Sequence, residues 1–162
     1  MKKILLFLAV LIVLVVISGL FIETSDELSH QKEFSVSAAD LWKTLGNFED
    51  MSGFEKANVK FEFKGTGPGR TRSMIFPNGY RFTEKLESLD HEKMIFRYSV
   101  VNSPELPYYD YYGQLSVTPV DENSCMVRWD ARYKTRLWKK ISTKKMLSTF
   151  IDTAFKYFIY NK

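Results

Sequence analysis

The sequence predicts an α+β domain built on an antiparallel sheet and preceded by one membrane-spanning helix. Residues 4–22 form an unbroken run of apolar and small side chains. The middle of the chain consists of short segments in which apolar and polar residues alternate, a period that indicates strands. The connections between these segments are too short for parallel crossovers. The last segment repeats apolar residues at helical spacing.

The apolar run is long enough to cross a bilayer once. As a helix, residues 4–22 rise about 28 Å at ~1.5 Å each, close to the ~30 Å of the hydrocarbon layer. A cleaved signal peptide is the alternative, but it would have a hydrophobic core of ~7–15 residues followed by a small-residue cleavage site. Residues 16–20 match such a site poorly. We therefore favour a retained signal anchor, which covers residues 1–22.

Charges on either side of the run predict its orientation. Lys2 and Lys3 precede it, whereas Glu23, Asp26 and Glu27 follow it. By the positive-inside rule the N-terminus lies in the cytoplasm. We expect a single-pass protein of the inner (cytoplasmic) membrane whose domain lies in the periplasm or outside the cell.

The remainder of the chain has the size of one domain. Residues 23–31 show no apolar periodicity and are predicted to be a juxtamembrane linker, so that the domain covers residues 32–162. This length can form a core that needs no disulfide or metal. Cys125 is the single cysteine, and the two histidines, His30 and His91, lack the spacing of a zinc or iron site. We expect no metal, no cofactor and stability from packing alone.

Two short helices are predicted near the start of the domain. A first strand covers residues 32–36. Ser37 is suited to N-cap a helix through residue 45, and Asp40 lies where the helix dipole favours a negative charge. A second helix is predicted over residues 48–54.

A meander of six strands and one long helix complete the domain. Residues 137–160 contain neither proline nor glycine and repeat apolar side chains at helical spacing. This pattern predicts one amphipathic helix of roughly 36 Å, long enough to lie along the sheet. The six strands are predicted over residues 59–64, 70–76, 80–89, 93–101, 108–117 and 125–135.

The C-terminal segment makes the chain a charge dipole. Residues 131–162 carry nine basic side chains and one acidic one, whereas residues 23–130 carry twelve and eighteen. Such a patch attracts polyanions. For an exported, tethered domain we expect anionic lipid headgroups rather than nucleic acid, with a solvated helix face as the alternative. The predicted membrane-surface residues are Lys139, Lys140, Lys144 and Lys145.

Several short motifs occur in an order that resembles one superfamily. The motifs lie at residues 36–42, 67–72, 84–90 and 127–129. Together they resemble the START/Bet v 1-like superfamily, also called SRPBCC, and most closely its polyketide cyclase/dehydrase-like branch, over about residues 34–158. The resemblance implies a helix-grip fold, in which a curved seven-stranded sheet wraps around the long C-terminal helix and encloses a cavity. Members bind lipids, sterols, plant hormones or polyketides, and only some are enzymes.

Strand alternation predicts which side chains face the inside of the sheet. Glu84 shares a face with Phe82, so a carboxylate points inward. Because an unpaired buried charge is costly, Glu84 either pairs with Arg72 or a tyrosine hydroxyl, or meets a ligand or water. The inward aromatics suit an apolar pocket with a few orienting donors, although they can equally fill the core. The candidate ligand-binding residues are Arg72, Phe82, Glu84, Phe96, Tyr98, Tyr109, Tyr111, Trp129 and Phe150.

These features favour a membrane-anchored domain that binds or transfers a hydrophobic small molecule or lipid. Two other classes remain open. One is an enzyme of polyketide cyclase or dehydratase type that uses Glu84, Arg72 and a tyrosine, but no residue is assigned as catalytic. The other is a non-catalytic interaction module that docks through its basic C-terminal helix. The glycine-rich stretch at residues 65–70 leads into a strand, so it does not predict a phosphate site.

Overall fold

A computed structural model describes residues 2–50, 58–101 and 103–157, arranged as three α-helices and seven strands. Residues 51–54 of the predicted second short helix lie outside the described residues. The elements are α1 (Lys2–Phe21), β1 (Glu23–Phe34), α2 (Ala38–Leu45), β2 (Lys60–Lys64), β3 (Thr71–Ile75), β4 (Arg81–Asp90), β5 (Ile95–Val100), β6 (Tyr108–Pro119), β7 (Cys125–Arg136), a 3₁₀-helix (Leu137–Lys139) and α3 (Lys140–Tyr157).

The seven strands form one curved antiparallel sheet in the order β1-β7-β6-β5-β4-β3-β2. The meander from β2 to β7 follows the chain, and β1 returns to pair with β7 at the far edge. The long helix α3 packs across β1 and β7. The predicted seven-stranded antiparallel sheet and its long C-terminal helix are confirmed.

Helix α2 begins as predicted. The Ser37 hydroxyl accepts a hydrogen bond from the Asp40 backbone N–H at 3.1 Å. The helix ends at Gly46, where a Cβ atom would lie 2.6 Å from Cε2 of the buried Trp42. Glycine is therefore required for the indole to pack beneath the end of the helix.

The prediction of a linker over residues 23–31 was wrong. These residues form most of β1, which pairs with β7 along its whole length from Glu23 opposite Arg136 to Phe34 opposite Cys125. In this strand only Leu28 and Phe34 are buried. The strand is held by backbone pairing at the edge of the sheet rather than by an apolar face, so it lacks the alternating signal that marks the other strands.

The prediction of which side chains of β6 face inward was wrong at the start of the strand. Tyr108 and Tyr111 are buried, whereas Tyr109 lies on the other face. The pairing register between β6 and β7 shifts between Tyr109 and Tyr112, and Asp110 has a positive φ of 50°. This β-bulge inserts one residue, so the regular alternation on which Tyr109 was placed does not hold across it.

The core lies between the sheet and α3. Helix α3 buries Leu147, Ile151, Ala154 and Phe155, and the Phe155 ring meets Phe34 edge-on at 6.0 Å. These positions follow the helical spacing seen in the sequence. Aromatic and aliphatic side chains from β1 and from β4 to β7 complete one cluster.

The N-terminal helix continues directly into the domain. The Leu137 N–H donates to the Ile22 carbonyl at 2.9 Å, and Arg136 Nη1 donates to the Phe21 carbonyl at 3.0 Å. In the part of the chain whose backbone and side chains the structure describes, no helix is both long and apolar enough to cross a membrane. The membrane anchor stays a prediction from the sequence.

Candidate functional site

A cavity of about 350 Å³ lies between the sheet and α3. This volume is within the range of small-molecule sites, ~300–1,000 Å³. The cavity is bounded by the β3–β4 hairpin, the inner face of β5 and β6, the loop before β6 and the middle of α3. Its walls are Met74, Phe76, Tyr80, Phe82, Tyr98, Glu105, Leu106, Pro107, Tyr108, Tyr111, Met146, Leu147 and Phe150.

Two phenols and an indole form a polar cluster at the inner wall. The Tyr98 and Tyr111 hydroxyls lie 3.0 Å apart, and Trp129 Nε1 donates to the Tyr98 hydroxyl at 3.1 Å. Burial raises the pKa of Tyr111 to about 12 and holds the pKa of Tyr98 well above its ordinary value of 10.0. Both phenols are therefore neutral at physiological pH.

The position of Tyr98 depends on the absence of a side chain on β6. Tyr98 lies directly opposite Gly113 in the β5–β6 register. A Cβ atom at Gly113 would lie 2.5 Å from the ring carbon Cζ of Tyr98 and 2.7 Å from its hydroxyl oxygen. The glycine thus lets the ring lie flat on the β6 backbone and bring its hydroxyl to Tyr111.

A buried ion pair lies beside the cavity. Arg72 and Glu84 are direct neighbours in the β3–β4 register, and Arg72 Nε donates to Glu84 Oε2 at 2.5 Å. Arg72 also donates through Nη1 to the Phe48 carbonyl at 2.9 Å, and its guanidinium lies over the Phe48 ring. The sequence left open whether Glu84 pairs with Arg72 or meets a ligand. The structure shows the ion pair, and Glu84 is not among the residues that line the cavity.

The predicted ligand-binding residues therefore occupy three places. Phe82, Tyr98, Tyr111 and Phe150 line the cavity. Arg72, Glu84, Phe96 and Trp129 form the layer behind it, where the Phe96 ring stacks on Tyr98 at 5.3 Å and Trp129 meets Phe150 edge-on at 6.1 Å. Tyr109 lies on the outer face. A ligand-binding role for these residues stays a prediction.

Sequence reasoning missed part of the cavity wall. Tyr108 was missed because the bulge at Asp110 exchanges it with Tyr109. Leu106 and Pro107 belong to a loop, where no periodicity indicates an inward side chain. An apolar residue flanked by prolines in an otherwise polar loop, as at residues 104–107, is the one signal that could have found them.

The four predicted membrane-surface lysines differ in their contacts. Lys144 Nζ lies 3.1 Å from Asp26 Oδ1, and Lys140 Nζ lies 3.9 Å from Asp26 Oδ2. Burial is the largest single influence on Asp26 and opposes its ionisation, but the hydrogen bonds from Lys144 and from the Glu27 N–H, together with the charges of Lys144 and Lys140, outweigh it, so the pKa of Asp26 is lowered. Two of the four lysines thus serve to fasten α3 to β1, while Lys139 and Lys145 have no ion pair within the described ranges.

A serine, a histidine and an aspartate also meet where β1 contacts α3. His30 Nδ1 lies 3.0 Å from Asp152 Oδ1, and His30 Nε2 lies 3.2 Å from Ser148 Oγ. This is the order of contacts in a Ser-His-Asp triad. However, Ser148 lies within α3, whose backbone N–H groups are used in helical hydrogen bonds, so the helix offers no donors for an oxyanion. We assign the contact to holding α3 on β1.

Nothing in the described parts of the chain suggests a metal centre. No group of three His, Cys, Asp or Glu side chains lies close enough there to hold a metal ion. Cys125 is fully buried, and burial raises the pKa of its thiol. A buried neutral thiol is a poor nucleophile and a poor metal ligand.

Comparison with known families decides where this fold belongs. The sequence model described as polyketide cyclase / dehydrase and lipid transport matches residues 25–161. The chain belongs to this family. A comparison with curated proteins gives no match.

Solved structures share the fold at low sequence identity. An uncharacterized protein from Bacillus thuringiensis is 19% identical with a TM-score of 0.69, over 83% of this chain and 97% of that chain. The protein XoxI from Bacillus cereus is 19% identical with a TM-score of 0.68, over 82% and 92%. Norcoclaurine synthase from Thalictrum flavum, in complex with dopamine and hydroxybenzaldehyde, is 21% identical with a TM-score of 0.66, over 86% and 90%.

Proposed function

We propose that this family member binds a hydrophobic small molecule or lipid in the cavity between the sheet and α3, and that residues 4–22 tether it to a membrane. The observation that supports binding is an apolar cavity of about 350 Å³ with a buried hydroxyl cluster at its inner wall. Such a site excludes water from an apolar ligand and orients it through a few polar contacts. The tether is supported by the sequence alone.

The hydroxyl cluster indicates what the polar end of the ligand offers. Each phenol has one O–H to donate. One of the two protons is used between Tyr98 and Tyr111, and Trp129 donates its own N–H to Tyr98. Whichever phenol donates, the other keeps an O–H for which the described residues provide no acceptor. We infer a ligand with a hydrogen-bond acceptor, such as a carbonyl, ester or carboxylate oxygen, on an apolar body.

Catalysis is the second candidate. Norcoclaurine synthase shares the fold and its structure holds two small aromatic molecules. Among the described residues, however, the one buried carboxylate, Glu84, is ion-paired with Arg72 and lies outside the cavity wall. Glu105 lies in that wall, but it is exposed to solvent and its pKa is lowered by the hydrogen bond from Ser103. The phenols that do line the wall have raised pKa values and cannot act as bases near neutral pH. Binding therefore explains the described groups better than acid-base chemistry does.

Photolabelling in a bilayer tests the cavity directly. The full chain is reconstituted into vesicles that contain a diazirine-bearing fatty acid, irradiated and digested with trypsin. Binding predicts adducts on the peptide Tyr98–Arg128, which carries the hydroxyl cluster and the loop before β6. Adducts confined to residues 4–32 would show labelling by bulk lipid alone and would contradict the proposal.

A matched pair of tryptophan substitutions provides the control. Leu106→Trp fills the cavity and should reduce adducts on the Tyr98–Arg128 peptide about tenfold or more. Val120→Trp adds the same side chain at an exposed position in the β6–β7 turn and should leave the adducts unchanged. Circular dichroism of both variants checks that the fold is retained. Equal labelling of the two would contradict a cavity site.

A further inference from the structure

Apolar side chains are exposed where α1 meets the 3₁₀-helix and α3. Trp138 is 59% exposed and Ile141 is 84% exposed, although both lie in the folded part of the chain. Exposed tryptophan and isoleucine side chains that lie together mark a binding surface more often than an isolated one does. We call this the junction surface, and it consists of Phe21, Ile22, Leu137, Trp138 and Ile141.

Hydrogen bonds fix the junction surface at the end of α1. The Leu137 N–H donates to the Ile22 carbonyl at 2.9 Å. Arg136 Nη1 donates to the Phe21 carbonyl at 3.0 Å and also reaches Glu23 Oε1 at 3.2 Å. Trp138 therefore stands beside the last turn of α1 rather than on a separate arm.

Two lysines lie on the same segment as the apolar side chains of Trp138 and Ile141. Lys139 Nζ lies 4.8 Å from the centre of the Trp138 ring, and Lys145 is exposed one turn beyond Ile141. Neither lysine forms an ion pair with a described carboxylate, unlike Lys140 and Lys144, which share Asp26. An exposed tryptophan beside a lysine, with apolar neighbours and a further lysine on the following helix, is the composition that proteins place at the boundary between headgroups and acyl chains.

We propose that the junction surface lies on an anionic bilayer, with the Trp138 ring at headgroup level and Lys139 and Lys145 against lipid phosphates. The arrangement combines burial of apolar area with attraction of up to ~1 kcal/mol for each lysine near an anionic surface. This inference does not depend on a ligand in the cavity. It also predicts which side of the domain faces the bilayer. Met146, which lines the cavity, lies about 7.5 Å beyond Ile141 along α3, so the cavity is near the membrane.

Tryptophan fluorescence tests the proposal in the full chain. Of the three tryptophans, Trp42 and Trp129 are buried, so Trp138 is the one that bilayer quenchers can reach. In vesicles of phosphatidylcholine and phosphatidylglycerol, lipids brominated near the headgroup should quench a component that Trp138→Phe removes. Lipids brominated near the chain end should quench it less. No bromine quenching of Trp138 would overturn the proposal.

Further measurements distinguish bilayer contact of the junction surface from anchoring by residues 4–22 alone and from contact with a second copy of the chain. Protection of residues 4–22 from protease without quenching of Trp138 would leave the tether standing and overturn the junction surface. Shielding of Trp138 from acrylamide without bromine quenching, in a protein that sediments as a dimer, would assign the surface to a second copy. Lys139→Glu with Lys145→Glu should weaken quenching in anionic vesicles, whereas Val120→Glu, also at an exposed apolar position, should not.

Discussion

Arg72 and Glu84 face each other across β3 and β4, where only 11% and 4% of their side chains are exposed. Two buried charges are tolerated when each satisfies the other and further polar groups complete their hydrogen bonds. Arg72 meets this condition through the Phe48 carbonyl and the faces of the Phe48 and Phe96 rings. The pair thus fixes the turn at Phe48 against the sheet, beside the cavity.

Removing one charge of the pair should destabilise the folded protein, because the other charge stays buried without a partner. Glu84→Gln nearly preserves shape but leaves the Arg72 charge unpaired, and we expect the free energy of unfolding to fall by about 3–5 kcal/mol. Urea denaturation of the full chain measures this change. Glu62→Gln is the control, because the Glu62–Arg81 pair has 58% and 51% of its side chains exposed and should cost less than about 1 kcal/mol. Equal losses in the two variants would contradict the assignment.

At the scale of single residues, the sequence predicted the direction of those side chains that the regular alternation of a strand determines. Glu84 was predicted to point inward and to have Arg72 as a candidate partner, because cross-strand neighbours share a face. The choice between the ion pair and a ligand could not be made, since it depends on how β3 and β4 are aligned. That alignment places Arg72 directly opposite Glu84, and no local pattern encodes it.

The bulge in β6 determines which tyrosines form the cavity wall. Asp110 adopts a positive φ of 50° and forms an ion pair with Lys134 at 3.0 Å on the exposed face. The extra residue lets Tyr108 and Tyr111, three apart in sequence, both point inward. Side chains three apart on a regular strand would lie on opposite faces.

Deleting Asp110 should therefore damage the core more than replacing it. Deletion restores regular alternation and drives one of the two inward tyrosines to the surface, so we expect a loss of about 3–5 kcal/mol in unfolding free energy, as for removing a large aromatic from a core. Asp110→Gly keeps the extra residue and suits a positive φ, so its effect should stay within about 1 kcal/mol. Urea denaturation compares them, and a deletion as mild as the glycine variant would show that the bulge is dispensable.

The two elements that sequence analysis misjudged share one cause. Strand β1 buries only Leu28 and Phe34 and is defined by twelve backbone pairings with a strand about a hundred residues away. The bulge in β6 likewise appears only in its register against β7. Long-range backbone pairing leaves no periodic trace in the sequence, whereas the half-buried strands and the amphipathic α3 were predicted because burial imposes periods of 2 and 3.6 residues.

At the scale of the whole molecule, the sheet, the long helix and the family could be predicted from the sequence. The ligand cavity could not be outlined in the same way, because its wall combines strands, a loop and α3. Phe82, Tyr98, Tyr111 and Phe150 come from regular elements and were found, while Leu106 and Pro107 come from the loop. A site formed by converging elements is specified by tertiary packing, which single segments do not reveal.

Buried phenols make the folding stability of the whole domain depend on pH in the alkaline range. Tyr98, Tyr111 and Tyr133 all have raised pKa values, first because burial disfavours the phenolate, and Tyr111 and Tyr133 reach about 12. In the unfolded chain a tyrosine loses its proton near its ordinary value of 10.0. Between these values the folded state binds more protons than the unfolded state, so stability falls as pH rises.

We therefore expect the stability conferred by these neutral phenols to be complete below pH 10 and to be lost as pH rises from 10 towards 12. Each such phenol contributes a slope of about 1.4 kcal/mol per pH unit within that window. Urea denaturation across the window, with tyrosinate absorbance followed in parallel, measures the slope. Tyr111→Phe removes one phenol and should flatten it, whereas Tyr112→Phe, on the opposite face of β6, should serve as the matched control. A slope that Tyr111→Phe leaves unchanged would show that this buried phenol does not govern alkaline unfolding.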